Sequence, residues 1–140
     1  MKRLFETETK GEYLDVVTLI LRISVAIFMI THGFPKLNKL LAGGEIHFAD
    51  PIGLGAAFSL ALVVFSEFFC SILIGIGLAT RLASIPLIIT MAVAAFVIHG
   101  ADPIGKKELA ILYLVIYLTL LIVGSRKYSV DYFIAEKYNK

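Results

Sequence analysis

Val63-Val64-Phe65-Ser66-Glu67-Phe68-Phe69-Cys70 sets a single carboxylate in the middle of an apolar run that extends from about residue 52 to residue 79. A run of that length is more than the roughly 20 residues an α-helix needs to cross a bilayer. The fold depends on what surrounds it. Three further apolar runs, at about 16–34, 82–99 and 104–124, make the chain an all-α bundle of four transmembrane helices.

Composition agrees. Of 140 residues, 59% are hydrophobic and 17% charged, against about 45–50% and about 25% in a soluble domain. The length suits one domain. A formal charge of +2 with no basic stripe excludes a nucleic-acid partner. The single cysteine, Cys70, cannot close a disulfide within the chain.

Residues 1–15 are mixed-charge and read as a solvated lead-in. No small-residue cleavage pattern follows the first run, so it is expected to stay as a helix rather than leave as a signal peptide. Gly33-Phe34-Pro35 is expected to end that helix, because proline lacks an amide donor and disfavours helical geometry in the residue before it. Lys36 then falls in the loop that follows. Thr80-Arg81 reads as a tight turn between the second and third helices. The tail, 125–140, mixes basic and aromatic residues as headgroup-level segments do; it reads as a short interfacial helix or a free end. Eight Lys and Arg residues on the side of the termini face four on the opposite side, which puts both termini in the cytoplasm.

A short repeat precedes the second and fourth helices: His47-Phe48-Ala49-Asp50-Pro51-Ile52-Gly53 and His99-Gly100-Ala101-Asp102-Pro103-Ile104-Gly105. Asp followed by Pro is a helix-start signal, the carboxylate capping free amides and proline fitting the first turn. A ligand-binding turn is the other reading.

A charge at the bilayer centre costs roughly 2.5–3.5 kcal/mol on insertion scales, so such residues face the bundle and tend to be functional. Arg22 in the first helix can snorkel toward the headgroups or pair with Glu67. Glu67 lies about a dozen residues from either end of its helix, roughly 18 Å from water. The two are expected to pair, as a structural lock or as a working site. A second cluster gathers at the opposite side from the termini: His32, His99, Glu108, Lys36 and His47. It suits hydrogen bonding to a polar head group or proton relay. No His-x-x-x-His or Glu-x-x-His spacing supports a metal site, and no attachment motif supports haem. Ser59, Ser66, Cys70 and Gly77 form a small-residue face suited to close helix packing. Tyr113 and Tyr117, one turn apart, are core aromatics or a stacking platform for a flat ring.

These residues also resemble a known family. Leu21-Arg22-Ile23 with Thr31-His32-Gly33-Phe34-Pro35-Lys36-Leu37 is similar to the first helix of DoxX-like membrane proteins. Glu67, then Gly75-Ile76-Gly77-Leu78-Ala79-Thr80-Arg81-Leu82-Ala83, resembles their second helix and turn. His99-Gly100 with Lys107-Glu108-Leu109-Ala110-Ile111-Leu112-Tyr113-Leu114 resembles their third-to-fourth junction, and Ser129-Val130-Asp131 their ending. Cys70-Ser71 stands where the family has a pair of small residues.

The resemblance implies a four-helix bundle in the inner membrane of a prokaryote. It also implies a part in quinone-linked oxidoreductase systems, in sulfur oxidation or defence against oxidative stress. By that analogy Glu67, Arg22 and His99 are the candidate catalytic residues. His32, Lys36, Glu108 and Tyr113 are the candidate quinone-binding ones. No haem, flavin or iron–sulfur motif is present, so a protein partner is expected to supply electrons. The alternatives are a non-enzymatic scaffold or cargo-binding module, and a small proton-coupled carrier that would need to form a homo-oligomer.

Overall fold

A computed structural model describes residues 10–138; part of the predicted lead-in and the last two residues of the predicted tail lie outside them. The described residues are helical, with no strand among them. Helix α1 spans Gly11–Ala42, α2 Ala56–Ile76, α3 Thr80–Ile98, α4 Ile104–Val123 and α5 Val130–Tyr138. The first three are long and apolar enough to cross a membrane. Helix α4 has 20 residues, with Lys106, Lys107 and Glu108 in its first turns.

The bundle keeps a thin core and an apolar outside. Val25, Met29, Ile74, Leu87, Met91, Tyr117 and Leu120 pack at the centre. Ile27, Phe28, Leu82, Phe96 and Ile122 lie exposed on the outer faces. Helices apolar on every side are built for a lipid surround. Ser59, Ser66 and Cys70 of the small-residue face are buried, and the Ser66 hydroxyl meets that of Thr90 on α3 at 2.7 Å.

Helix α1 differs most from expectation. It begins at Gly11, within the predicted lead-in, and runs through Pro35 to Ala42. Its 32 residues extend about 48 Å at the helical rise, well beyond a hydrocarbon core of about 30 Å. Gly33, expected to help end the helix, is a crossing point instead. A Cβ there would stand 2.8 Å from the backbone of Glu67 and Phe68, so only glycine lets α1 and α2 approach this closely.

The repeated Asp-Pro turns also part company. Asp50 behaves as a cap, accepting from the amides of Leu54 and Gly55 and the hydroxyl of Ser59 at 2.7–3.0 Å. The helix nevertheless starts at Ala56, later than the expected residue 52. The Ser59 hydroxyl bond first, and the amides after it, hold the Asp50 carboxyl below its ordinary range. In the second copy Pro103 precedes α4 with no side-chain cap, and Asp102 turns to His99.

The ends of α2 and α3 meet the tail. Gly77 adopts left-handed geometry at the end of α2, with the Leu78 amide bonding back to the Leu73 carbonyl, the usual left-handed glycine stop. Ala79 also has positive φ (49°), a conformation that costs of order 1–3 kcal/mol unless the surroundings fix it. Asp131 of α5 does so: its carboxylate accepts from the Ala79 amide at 2.7 Å and the Thr80 amide at 3.2 Å, capping α3. Arg126, the other non-glycine residue at positive φ (58°) among the described residues, donates to Asp15 at 2.6 Å. The tail is therefore docked on the bundle rather than free.

Candidate functional site

Arg22 and Glu67 are not partners. Helices α1 and α2 run antiparallel, with Gly33 against Glu67 and Phe68, so Arg22, eleven residues earlier, falls level with the end of α2. Its guanidinium donates to the carbonyls of Ile74 (3.0 Å), Gly75 (3.3 Å), Ser125 (2.5 Å) and Tyr128 (3.0 Å). With 1% of its surface exposed, it neither snorkels nor faces a cavity. One cation thus adds to the bond the Ile74 carbonyl already takes from the Gly77 amide and satisfies three further carbonyls at the helix end and the tail. Glu67 lies seven residues before Ile74 on α2, roughly 10 Å away at the helical rise.

Glu67 binds Lys36. The ammonium meets both carboxylate oxygens, at 2.7 and 2.5 Å. The continuation of α1 through Pro35 makes this possible, because it carries Lys36 on helical structure alongside α2. Glu67 is 4% exposed, while the Lys36 side chain is 31% exposed. The ion pair thus forms the floor of an opening rather than a sealed core contact.

That opening is a cleft of about 170 Å³. Glu67, Lys36, His32, His99 and Tyr113 all line it, with Met29, Met91 and Lys106 completing the walls. Glu67 and the histidine cluster, expected to be separate, share one chamber. Two departures from α-helical geometry bring them together. Phe65–Cys70 in α2 and Ala94–Ile98 in α3 are π-helical. In α3 the His99 amide bonds five residues back to the Ala94 carbonyl. Such wide turns insert a residue into the helix and occur often at functional sites. Here one contains Glu67 and the other ends at His99.

The remaining groups are oriented by neighbours. His99 Nδ1 and an Asp102 oxygen are 2.8 Å apart, a contact that fixes the ring and its tautomer. Lys106 Nζ is 3.7 Å from the other Asp102 oxygen. The His32 ring stands edge-on to Tyr113, centroids 6.1 Å apart, and Tyr113 stacks on Tyr117 at the same separation. The chamber thus joins a carboxylate, two imidazoles, two ammonium groups and an aromatic wall. It can hold a small polar head by hydrogen bonds and charge, stack a ring, and exchange protons.

Two expected members are elsewhere. Glu108 is exposed and does not line the cleft. His47 is exposed in the loop, 3.9 Å from Glu45. The sequence does not mark Lys106, Met29 or Met91 as site residues, and its Asp-Pro pattern marks Asp102 as a helix cap or part of a ligand-binding turn. Asp102 had a signal available, since its three-residue spacing from His99 allows an imidazole–carboxylate contact across one turn.

A family model described as DoxX matches residues 17–100, which include Arg22, His32, Lys36, Glu67 and His99. The chain belongs to the DoxX family. Two relatives extend the likeness along most of the chain. "Putative oxidoreductase CatD" of Bacillus subtilis is 29% identical over 121 residues, covering 86% of this DoxX chain and 88% of that protein. An "Uncharacterized protein" of Haemophilus influenzae is 33% identical over 130 residues, covering 86% and 92%. No solved structure matches this DoxX chain. Family membership and the apolar helices make it a membrane protein.

Proposed function

We propose that this DoxX protein is a quinone-binding membrane subunit of an oxidoreductase system, with the Glu67 chamber as the quinone head-group site. The observation that carries the reading is the convergence of two π-helical turns, which bring Glu67 and His99 to one cleft beside Lys36, His32 and Tyr113. The name of the Bacillus subtilis relative, with its reference to an oxidoreductase, favours the same class.

The donor set fits such a ligand. Lys36 and Lys106 offer ammonium donors to ring oxygens, and Tyr113 and His32 offer ring faces and edges. The cleft, about 170 Å³, is below the roughly 300–1,000 Å³ of sites that enclose a drug-sized ligand. It takes a head group and leaves a long apolar chain to the lipid. A bound quinone supplies acceptance of two electrons and two protons. Lys36 stabilises negative charge at an oxygen through its ammonium, drawing on the hydrogen bonds it otherwise gives Glu67. Glu67 and His99 hold and pass protons, and Asp102 keeps His99 in position. Electrons come from a protein partner, because one cysteine cannot cycle a disulfide within the chain and no haem, flavin or iron–sulfur motif is present in the sequence. In this reading α4 is a fourth span and both termini face the cytoplasm of a prokaryotic inner membrane.

Purified protein is expected to retain a quinone, or to change the fluorescence of a quinone analogue on titration, and Glu67→Gln to weaken both. Absence of both signals from the wild-type protein would overturn the assignment. A second reading, a non-enzymatic scaffold, draws on the same ion pair as a lock between α1 and α2. It predicts that Glu67→Gln changes protein level and any redox phenotype in proportion.

A further inference from the structure

A larger groove, of about 630 Å³, lies at the other end of the bundle between the start of α3, the end of α4 and the tail. Three cations line it, Arg81, Arg126 and Lys127, together with two carboxylates, Asp15 and Asp131. Both carboxylates are already engaged. Asp15 accepts from Arg126 at 2.6 Å, and Asp131 caps α3 through two amides. Arg81 donates one nitrogen to the neutral carbonyl of Ile122 at 3.1 Å; among the described residues its charge has no ion-pair partner and further donors are unused. Lys127 makes no ion pair among the described residues. Among the described residues, two cations without an ion-pair partner therefore stand at an open groove.

The same groove has an apolar wall. Leu82 and Val123 line it, and Leu82 is 70% exposed. Both belong to helix ends whose outer faces meet lipid, and exposed Tyr128 and Phe133 on the tail beside it suit the headgroup layer. Unmatched positive charge next to an apolar wall, at the end of apolar helices, is the complement of an anionic amphiphile.

We propose that this groove binds an anionic phospholipid, Arg81 and Lys127 holding the phosphate and the acyl chains lying along Leu82 and Val123. A soluble phosphate would engage the two cations and leave the wall bare, so the wall decides for lipid. The site is separate from the Glu67 chamber, and neither assignment depends on the other.

The test is competitive lipid retention. Purified protein is equilibrated in mixed micelles of phosphatidylglycerol and phosphatidylcholine at equal amounts, and bound lipid is counted by native mass spectrometry. Preferential retention of phosphatidylglycerol is expected, falling about fivefold on removal of either cation in Arg81→Gln or Lys127→Gln, and largely kept in Arg81→Lys. Lys127 is exposed, so Lys127→Gln folds and decides the matter if Arg81→Gln does not. An unchanged lipid ratio in Lys127→Gln would overturn the proposal. So would displacement of the bound lipid by millimolar inorganic phosphate, which would mark a soluble-anion site.

Discussion

The two ends of this bundle use buried charge in opposite ways. At the tail end Arg22 is spent on four backbone carbonyls and Asp131 on two backbone amides. Their partners are fixed parts of the chain, so these charges tie α2, α3 and the tail together. At the other end Glu67 and Lys36 are bonded to each other at the edge of a cleft, and either can exchange its partner for a ligand. A charge in a membrane helix is thus informative through what it bonds to, more than through its depth.

That contrast can be broken by substitution, and the largest effect belongs to Arg22. Arg22→Met leaves the part-buried carbonyls of Gly75, Ser125 and Tyr128 without this donor, each worth about 1–3 kcal/mol. A loss of at least about 3 kcal/mol is expected in denaturant unfolding in detergent, with the tail released to protease. Gly33→Val comes next. Its side chain would collide with the α2 backbone at 2.8 Å, costing about 1–3 kcal/mol as overpacking and drawing Lys36 away from Glu67. Asp131→Ala removes the cap of α3 for about 1 kcal/mol, read as a lower melting temperature and earlier cleavage of the tail. The smallest effect is at Asp50, whose carboxyl titrates below its ordinary value in the folded protein. Its contribution is complete above the unfolded carboxylate pKa, about 3.9, and is lost as the pH falls through the lower folded value. A melting-temperature profile in acid should show this small loss in the wild type, and Asp50→Asn should flatten it.

Much of the fold was legible because lipid imposes long uniform apolar runs, and these survive any uncertainty about packing. The α4 start near residue 104 was likewise local, whereas the turn expected at Thr80-Arg81 falls at Gly77–Ala79, and Thr80 and Arg81 already belong to the first turn of α3. The site was legible only as an inventory of residues. Reading Pro35 as a helix end placed Lys36 in a loop, and with Lys36 removed Arg22 became the nearest cation for Glu67. Proline within a helix costs about 3 kcal/mol on local propensity. The fold carries α1 past it, setting Lys36 against Glu67. The π-helical turns leave no mark in the sequence, since they change register by one residue without requiring a special residue type. Without them Glu67 and His99 would not be expected to share a cleft.

The Glu67 chamber is either a working site or a second lock. The direct measurement is titration of a quinone analogue against wild-type, Glu67→Gln and Lys36→Gln protein, with melting temperature recorded on the same samples. Because Lys36 is partly exposed and glutamine keeps an oxygen that can accept from it, Glu67→Gln should cost less stability than Arg22→Met. Affinity should fall at least about tenfold in both variants while the fold persists. Unchanged affinity in both variants, or a melting temperature that collapses as it does for Arg22→Met, would contradict the account and make Glu67–Lys36 another structural tie.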